Sequence, residues 1–229
     1  DNNQENIIKS FNLYLNKFPR GNFLSNAYFY LGDCYYRNKE YNKALENFEK
    51  IISGSYSPFK EQALLLAGRI NYQQNQYRNA INYFNKLIEI SANKKILQEA
   101  QITLMRCYYY TEDYENAAKI ADEIIKNYQL DINISREVRF IKAKSLYKLE
   151  KLNEALEEFK NVASEVISKE GAESKYVIAE IYFRQGNLKK ADEEIYDFTQ
   201  KTTPHAYWMG KAFLLWADIL YQQGEVFQA

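Results

Sequence analysis

YLGDCYYRNKEYNKALENF (residues 30–48) and LAGRINYQQNQYRNAINYF (residues 66–84) carry one pattern twice: a glycine, two tyrosines, an alanine and a phenylalanine fall at the same offsets in both. The frame then fits TLMRCYYYTEDYENAAKIA (103–121), IKAKSLYKLEKLNEALEEF (141–159), VIAEIYFRQGNLKKADEEI (177–195) and LWADILYQQGEVFQA (215–229). A marker alanine recurs at Ala44, Ala80, Ala117, Ala155, Ala191 and Ala229, at intervals that subtraction gives as 36, 37, 38, 36 and 38. A near-constant period of this length signals stacked supersecondary units, none of which can bury its apolar face alone.

Each unit holds two apolar-periodic runs of about 14 residues, divided by a polar break such as Arg37-Asn38-Lys39-Glu40 or Arg184-Gln185-Gly186-Asn187. That is a helical hairpin. The marker alanine is small because a larger side chain would push the two helices of its hairpin apart. Only three prolines and eight glycines leave few turn residues for a many-stranded sheet. Ser57-Pro58 and Thr203-Pro204 place a hydroxyl before a proline where new first helices are due, which predicts capped helix starts. Longer connectors are expected around Ser91 to Lys95 and Gln129 to Ser135, with no composition shift that marks a domain boundary.

Thirty basic and thirty acidic residues cancel, which argues against a protein that tracks a phosphate backbone. No stretch reaches the roughly 18 apolar residues of a membrane-spanning helix. His205 is the only histidine, and neither GxxxxGK nor GxGxxG is present. Cys34 and Cys107 hold the same repeat position two units apart, too distant for a disulfide, and read as small core residues. Glu157 and Glu158 are neighbours on a helix and point apart, so they form no acid–base dyad. No catalytic residue, metal site or cofactor is therefore expected, and the chain is not read as an enzyme. It opens at Asp1 and stops at Ala229 inside a patterned segment, so a piece of a longer protein is expected.

The pattern resembles the tetratricopeptide repeat, whose signature is an aromatic, Leu-Gly, then Tyr, Ala, Phe and a late Pro. Tyr28, Leu31, Gly32, Tyr35, Ala44 and Phe48 fill the first complete unit, and Leu64, Gly68, Ala80 and Phe84 the next. Later units depart from it: Met105, Ala143, Ala179 and Ala217 replace the glycine, and Ala121 and Ile195 the phenylalanine. The resemblance implies an all-α fold, a right-handed α-α superhelix of about six hairpins forming one solenoid domain. Its expected parts are a half-unit at 1–20, units at about 22–57, 58–94, 95–131, 135–170 and 171–203, and a partial unit at 204–229. The opening, FNLYLNKFPRGNFLSNAYFYLGDCYYRNKEYNKALENFEKI, is also similar to bacterial envelope proteins of this class, such as the tol-pal coordinator and the lipoprotein of outer-membrane assembly. A periplasmic or cell-envelope place is what that similarity implies, with the cytoplasm as the alternative.

The resemblance further implies that first helices line an inner, concave surface and hold a protein or peptide there. Four residues after the glycine site stand Tyr36, Tyr72, Tyr109, Tyr147, Phe183 and Tyr221, and three before it Phe29, Leu65, Ile102, Phe140, Tyr176 and Leu214. Sets seven apart share a helix face, and a ladder of phenols and apolar patches suits an extended segment. One residue after the glycine site come Asp33, Arg69, Arg106, Lys144, Glu180 and Asp218. With Lys148 and Arg184 five residues after it, the middle of this face is basic, and an acidic stretch of the partner is expected at Arg69, Arg106, Lys144 and Lys148. Two other readings stay open: a self-associating array joined through the last unit, where Phe213 and Trp216 lie, and a carbohydrate binder or enzyme using the tyrosines.

Overall fold

A computed structural model describes residues 2–54 and 56–225, the side chains from Glu5 onward. It holds α1 (Asn2–Lys17), α2 (Leu24–Arg37), α3 (Tyr41–Ile52), α4 (Lys60–Gln73), α5 (Tyr77–Ile90), α6 (Lys94–Tyr110), α7 (Tyr114–Asn127), α8 (Ile132–Lys148), α9 (Leu152–Val162), α10 (Lys169–Arg184), α11 (Leu188–Thr199) and α12 (Ala206–Gln223), with no strand among the described residues. The fold is an all-α helical-repeat solenoid. The sixth marker, Ala229, lies outside the described residues.

The helices gather into two compact units, Asp1–Thr111 and Glu112–Ala229. Within each, a helix packs on its neighbours in sequence, and first helices also touch the next first helix, as α4 meets α6, α8 meets α10 and α10 meets α12. The register predicted this: Ala44, Ala80, Ala117, Ala155 and Ala191 are all fully buried. Gly32 and Gly68 face the second helix of their own hairpin, where an added methyl would lie 2.7 Å from the Phe48 ring and 2.8 Å from the Phe84 ring. In the second unit Ala143 replaces the glycine, and Phe159 settles with its ring centroid 6.3 Å from Phe140 and 6.4 Å from Tyr147.

Every hairpin turns the same way. Lys39, Asn75, Glu112, Glu150, Gly186 and Gly224 all adopt a left-handed backbone, φ between 58° and 86°, and all stand seven residues after the glycine site. At Lys39 the amide donates to Tyr36 O (3.0 Å) and that of Glu40 to Tyr35 O (2.9 Å), closing the last carbonyls of α2. The same two bonds recur after α4, α8, α10 and α12. Left-handed backbone costs an L-residue about 1 kcal/mol, so Glu150→Gly should stabilise the fold by about 0.5–1 kcal/mol, read as a higher urea midpoint. An unchanged or lower midpoint would mean the Glu150 side chain contributes more than its backbone costs.

Two local expectations need correction. At the two connectors expected to be long, the extra length lies in the helices that follow: α6 and α8 have 17 residues each against 14 for α2 and α4. Asn93 and Asp131 explain this. Their side-chain oxygens accept the amides of Lys95 and Ile96, and of Asn133 and Ile134, which lets each helix start within the segment expected to be loop. Ser57 and Thr203 do not cap α4 and α12, which begin at Lys60 and Ala206. Instead Ser57 Oγ accepts the Phe59 amide (3.1 Å) and Thr203 Oγ1 the His205 amide (3.2 Å), so each hydroxyl closes the proline turn ahead of its helix.

Candidate functional site

In the first unit the aromatic ladder is packed along its own rungs. Phe29 stacks on Phe59 with centroids 4.6 Å apart. Tyr36 leans on Tyr41 at 6.0 Å, and Tyr72 on Tyr77 at 5.8 Å. Tyr77 in turn stacks on Tyr110 at 4.8 Å, and Tyr109 meets Tyr110 edge-on at 6.0 Å. Tyr36, Tyr72 and Tyr109 keep part of their surface exposed, whereas Leu65 and Ile102 are buried among the helices. Burial raises the Tyr72 phenol pKa, and the nearby Arg106 opposes that rise.

In the second unit Phe140, Tyr147 and Phe183 are half-buried, Tyr176 is buried, and Tyr221 is exposed. The Arg184 guanidinium lies 5.3 Å from the Tyr147 ring centroid, and Lys144 Nζ lies 5.2 Å from that of Phe140. Tyr176 and Trp208 rings sit 5.7 Å apart. Burial first, then the charge of Glu180, pushes the Tyr176 phenol up to about 12.

Three cations of this face already have carboxylates from the chain. Arg69 is held by Glu99 through two hydrogen bonds of 2.6 and 2.7 Å, and Lys144 meets the buried Glu173 at 2.8 Å. Arg184 pairs with Glu150 at 2.6 Å. Lys148 is exposed, and Arg106 is half-buried. Both Arg69 and Lys144 stand one residue after the glycine site, and both acids stand six residues before that site in the following repeat. The separations are therefore 30 residues and, by subtraction, 173 − 144 = 29. Comparing equal positions could not reveal this, because the partner sits at a different register one first helix away.

His205 Nε2 lies 3.0 Å from the Ile167 carbonyl and ties the start of α12 to the segment after α9. Cys107 is buried and its thiol is pushed up to about 12 by desolvation; Cys34 is half-buried, and both are free. Among the described residues no three His, Cys, Asp or Glu side chains gather as a metal site would require, and no helix is long and apolar enough to cross a membrane.

Family models described as tetratricopeptide repeat match residues 23–93 and 142–197. Those stretches are tetratricopeptide repeats. A model for subunit 3 of the anaphase-promoting complex, or cyclosome, matches residues 73–162. Solved structures, two of them described as tetratricopeptide-repeat proteins, share the fold at low identity. One from Parabacteroides merdae is 19% identical over 95% of this chain and 79% of its own, with a TM-score of 0.54. YrrB, described as having an unusual peptide-binding site, is 19% identical over 84% of this chain and 92% of its own, with a TM-score of 0.61. MamA of AMB-1 is 15% identical over 79% and 92%, with a TM-score of 0.59. No curated protein matches the sequence significantly.

Proposed function

We infer that the chain is an interaction scaffold whose first helices hold a segment of a partner protein, and that it carries no catalytic centre. Tetratricopeptide-repeat proteins generally bind proteins or peptides, which supports the class. The observation that carries the reading for this chain is the unbroken aromatic position four residues after the glycine site. Its rings hold their places through helix packing while keeping an exposed edge, as at Tyr36, Tyr72, Tyr109 and Tyr147. Prepositioned phenols supply contact area at little rotamer cost and hydroxyls for a partner's backbone.

Internal pairing of Arg69 and Lys144 leaves this face close to neutral, so the main attraction is aromatic contact and not an acidic partner stretch. Selecting a displayed random dodecapeptide library on the chain tests this. The Tyr72→Ala, Tyr109→Ala, Tyr147→Ala variant should bind the selected peptides at least about tenfold more weakly at unchanged helix content. Retained binding would refute the reading.

A second reading, self-association through α12, is favoured by Phe213, Leu214 and Tyr221, which are 51%, 72% and 67% exposed. Sedimentation over a range of concentrations separates the two: a concentration-dependent dimer lost in Leu214→Glu supports self-association, and a monomer throughout refutes it. Placement in a bacterial cell envelope rests on the resemblance of the opening segment.

A further inference from the structure

Two ion pairs between successive first helices follow one rule, and the last step departs from it. The residue after the glycine site joins the residue six before that site in the next repeat, as Arg69 joins Glu99 and Lys144 joins Glu173. At the last such step the rule names Glu180 and Lys211, with the charges reversed. Here the pair does not close. Lys211 Nζ instead lies 4.9 Å from the Tyr176 ring centroid and 5.9 Å from those of Tyr207 and Trp208. Glu180 stands one turn after Tyr176 on α10, its charge helps to raise the pKa of the Tyr147 and Tyr176 phenols, and it makes no ion pair among the described residues.

A carboxylate offers roughly four lone-pair acceptor sites, and with no ion pair among the described residues Glu180 keeps acceptors and a charge for an incoming cation. Beside it the Tyr176, Tyr207 and Trp208 rings already hold an ammonium, which shows that their faces suit a cation. Tyr207 is 68% exposed, so the cluster opens to solvent. Other charges nearby are taken: Arg184 by Glu150, and Lys144 by Glu173. Lys211 has no hydrogen-bond acceptor among the described residues, so returning its ammonium to water costs little.

We propose that Glu180, with the Tyr147 hydroxyl and the Tyr176, Tyr207 and Trp208 rings, is a seat for a lysine or arginine side chain of an extended partner segment. In the free chain Lys211 is the stand-in. This rests on the partner-binding reading above and gives the partner a basic residue at the position of α10 and α12.

The test uses the capped decapeptides (Ala-Lys)5 and (Ala-Glu)5 at low salt, followed by the side-chain indole signals of the chain's two tryptophans. Trp208 reports the seat; Trp216, whose Nε1 donates to Asp192 at 2.6 Å, is the control. (Ala-Lys)5 should shift Trp208 and leave Trp216 in place, and (Ala-Glu)5 should shift neither. Glu180→Gln should weaken the basic peptide about tenfold, as expected for losing one charge-assisted contact, while Lys211→Ala should tighten it by removing the internal competitor. Equal affinity in Glu180→Gln, weaker binding in Lys211→Ala, or a preference for (Ala-Glu)5 would each overturn the proposal. Peptides that bind elsewhere on the first helices would sink this seat alone. Failure of the library-selected peptides to depend on Tyr72, Tyr109 and Tyr147 would sink the broader reading instead.

Discussion

Phe84→Ala is expected to destabilise the fold by about 3–5 kcal/mol, the cost of emptying a fully buried aromatic site. The ring fills the hollow left by Gly68, so deletion opens a cavity between α4 and α5 that neither helix can close without moving. The sequence also suggests the remedy. The third repeat carries the opposite combination, Met105 at the glycine site and Ala121 at the phenylalanine site, and both are fully buried. Gly68→Met alone should destabilise, because its Cβ would fall 2.8 Å from the Phe84 ring. In the Phe84→Ala background the same change should recover part of the loss. Urea unfolding of the four proteins in that cycle gives the coupling, and a coupling near zero would show that the two sites do not share one volume.

Gly171→Ala should be nearly as costly, about 3 kcal/mol or more, although alanine is normally the better helix former by about 1 kcal/mol. Gly171 sits in the first turn of α10, where its amide donates to Ser168 Oγ at 3.0 Å. That hydroxyl bonds back to the Glu165 carbonyl at 2.7 Å, which draws the incoming chain over the helix. An added methyl would lie 2.0 Å from Glu165 O and 2.5 Å from its carbonyl carbon, and backbone there cannot swing aside as a side-chain tip could. The sign of the change decides the matter. A raised melting midpoint would mean that the turn relaxes freely and that helix propensity governs this position.

Neither effect was equally legible beforehand. Repetition places Gly68 and Phe84 at paired positions, so their contact follows from the frame. Gly171 lies at no recurring position, and the reason for it appears only when Glu165 folds over α10. The same division runs through the candidate site. The ladder of Tyr36, Tyr72, Tyr109, Tyr147, Phe183 and Tyr221 could be read by counting, but the burial of Leu65, Ile102 and Tyr176 could not. Tyr176 is covered where α10 meets α12, its ring centroid 5.7 Å from that of Trp208.

The sequence by itself determined the two-helix unit, its period, the small marker alanine between the helices of a hairpin and the polar break that joins them. These depend on residues within one repeat, whose spacing along a helix fixes what they face. Only the tertiary structure decided which charges are spoken for: Arg69 by Glu99, Lys144 by Glu173, and Glu180 by no cation among the described residues. An ion pair forms or fails within about 4 Å, and whether two side chains about 30 residues apart come that close depends on how neighbouring helices lie against each other.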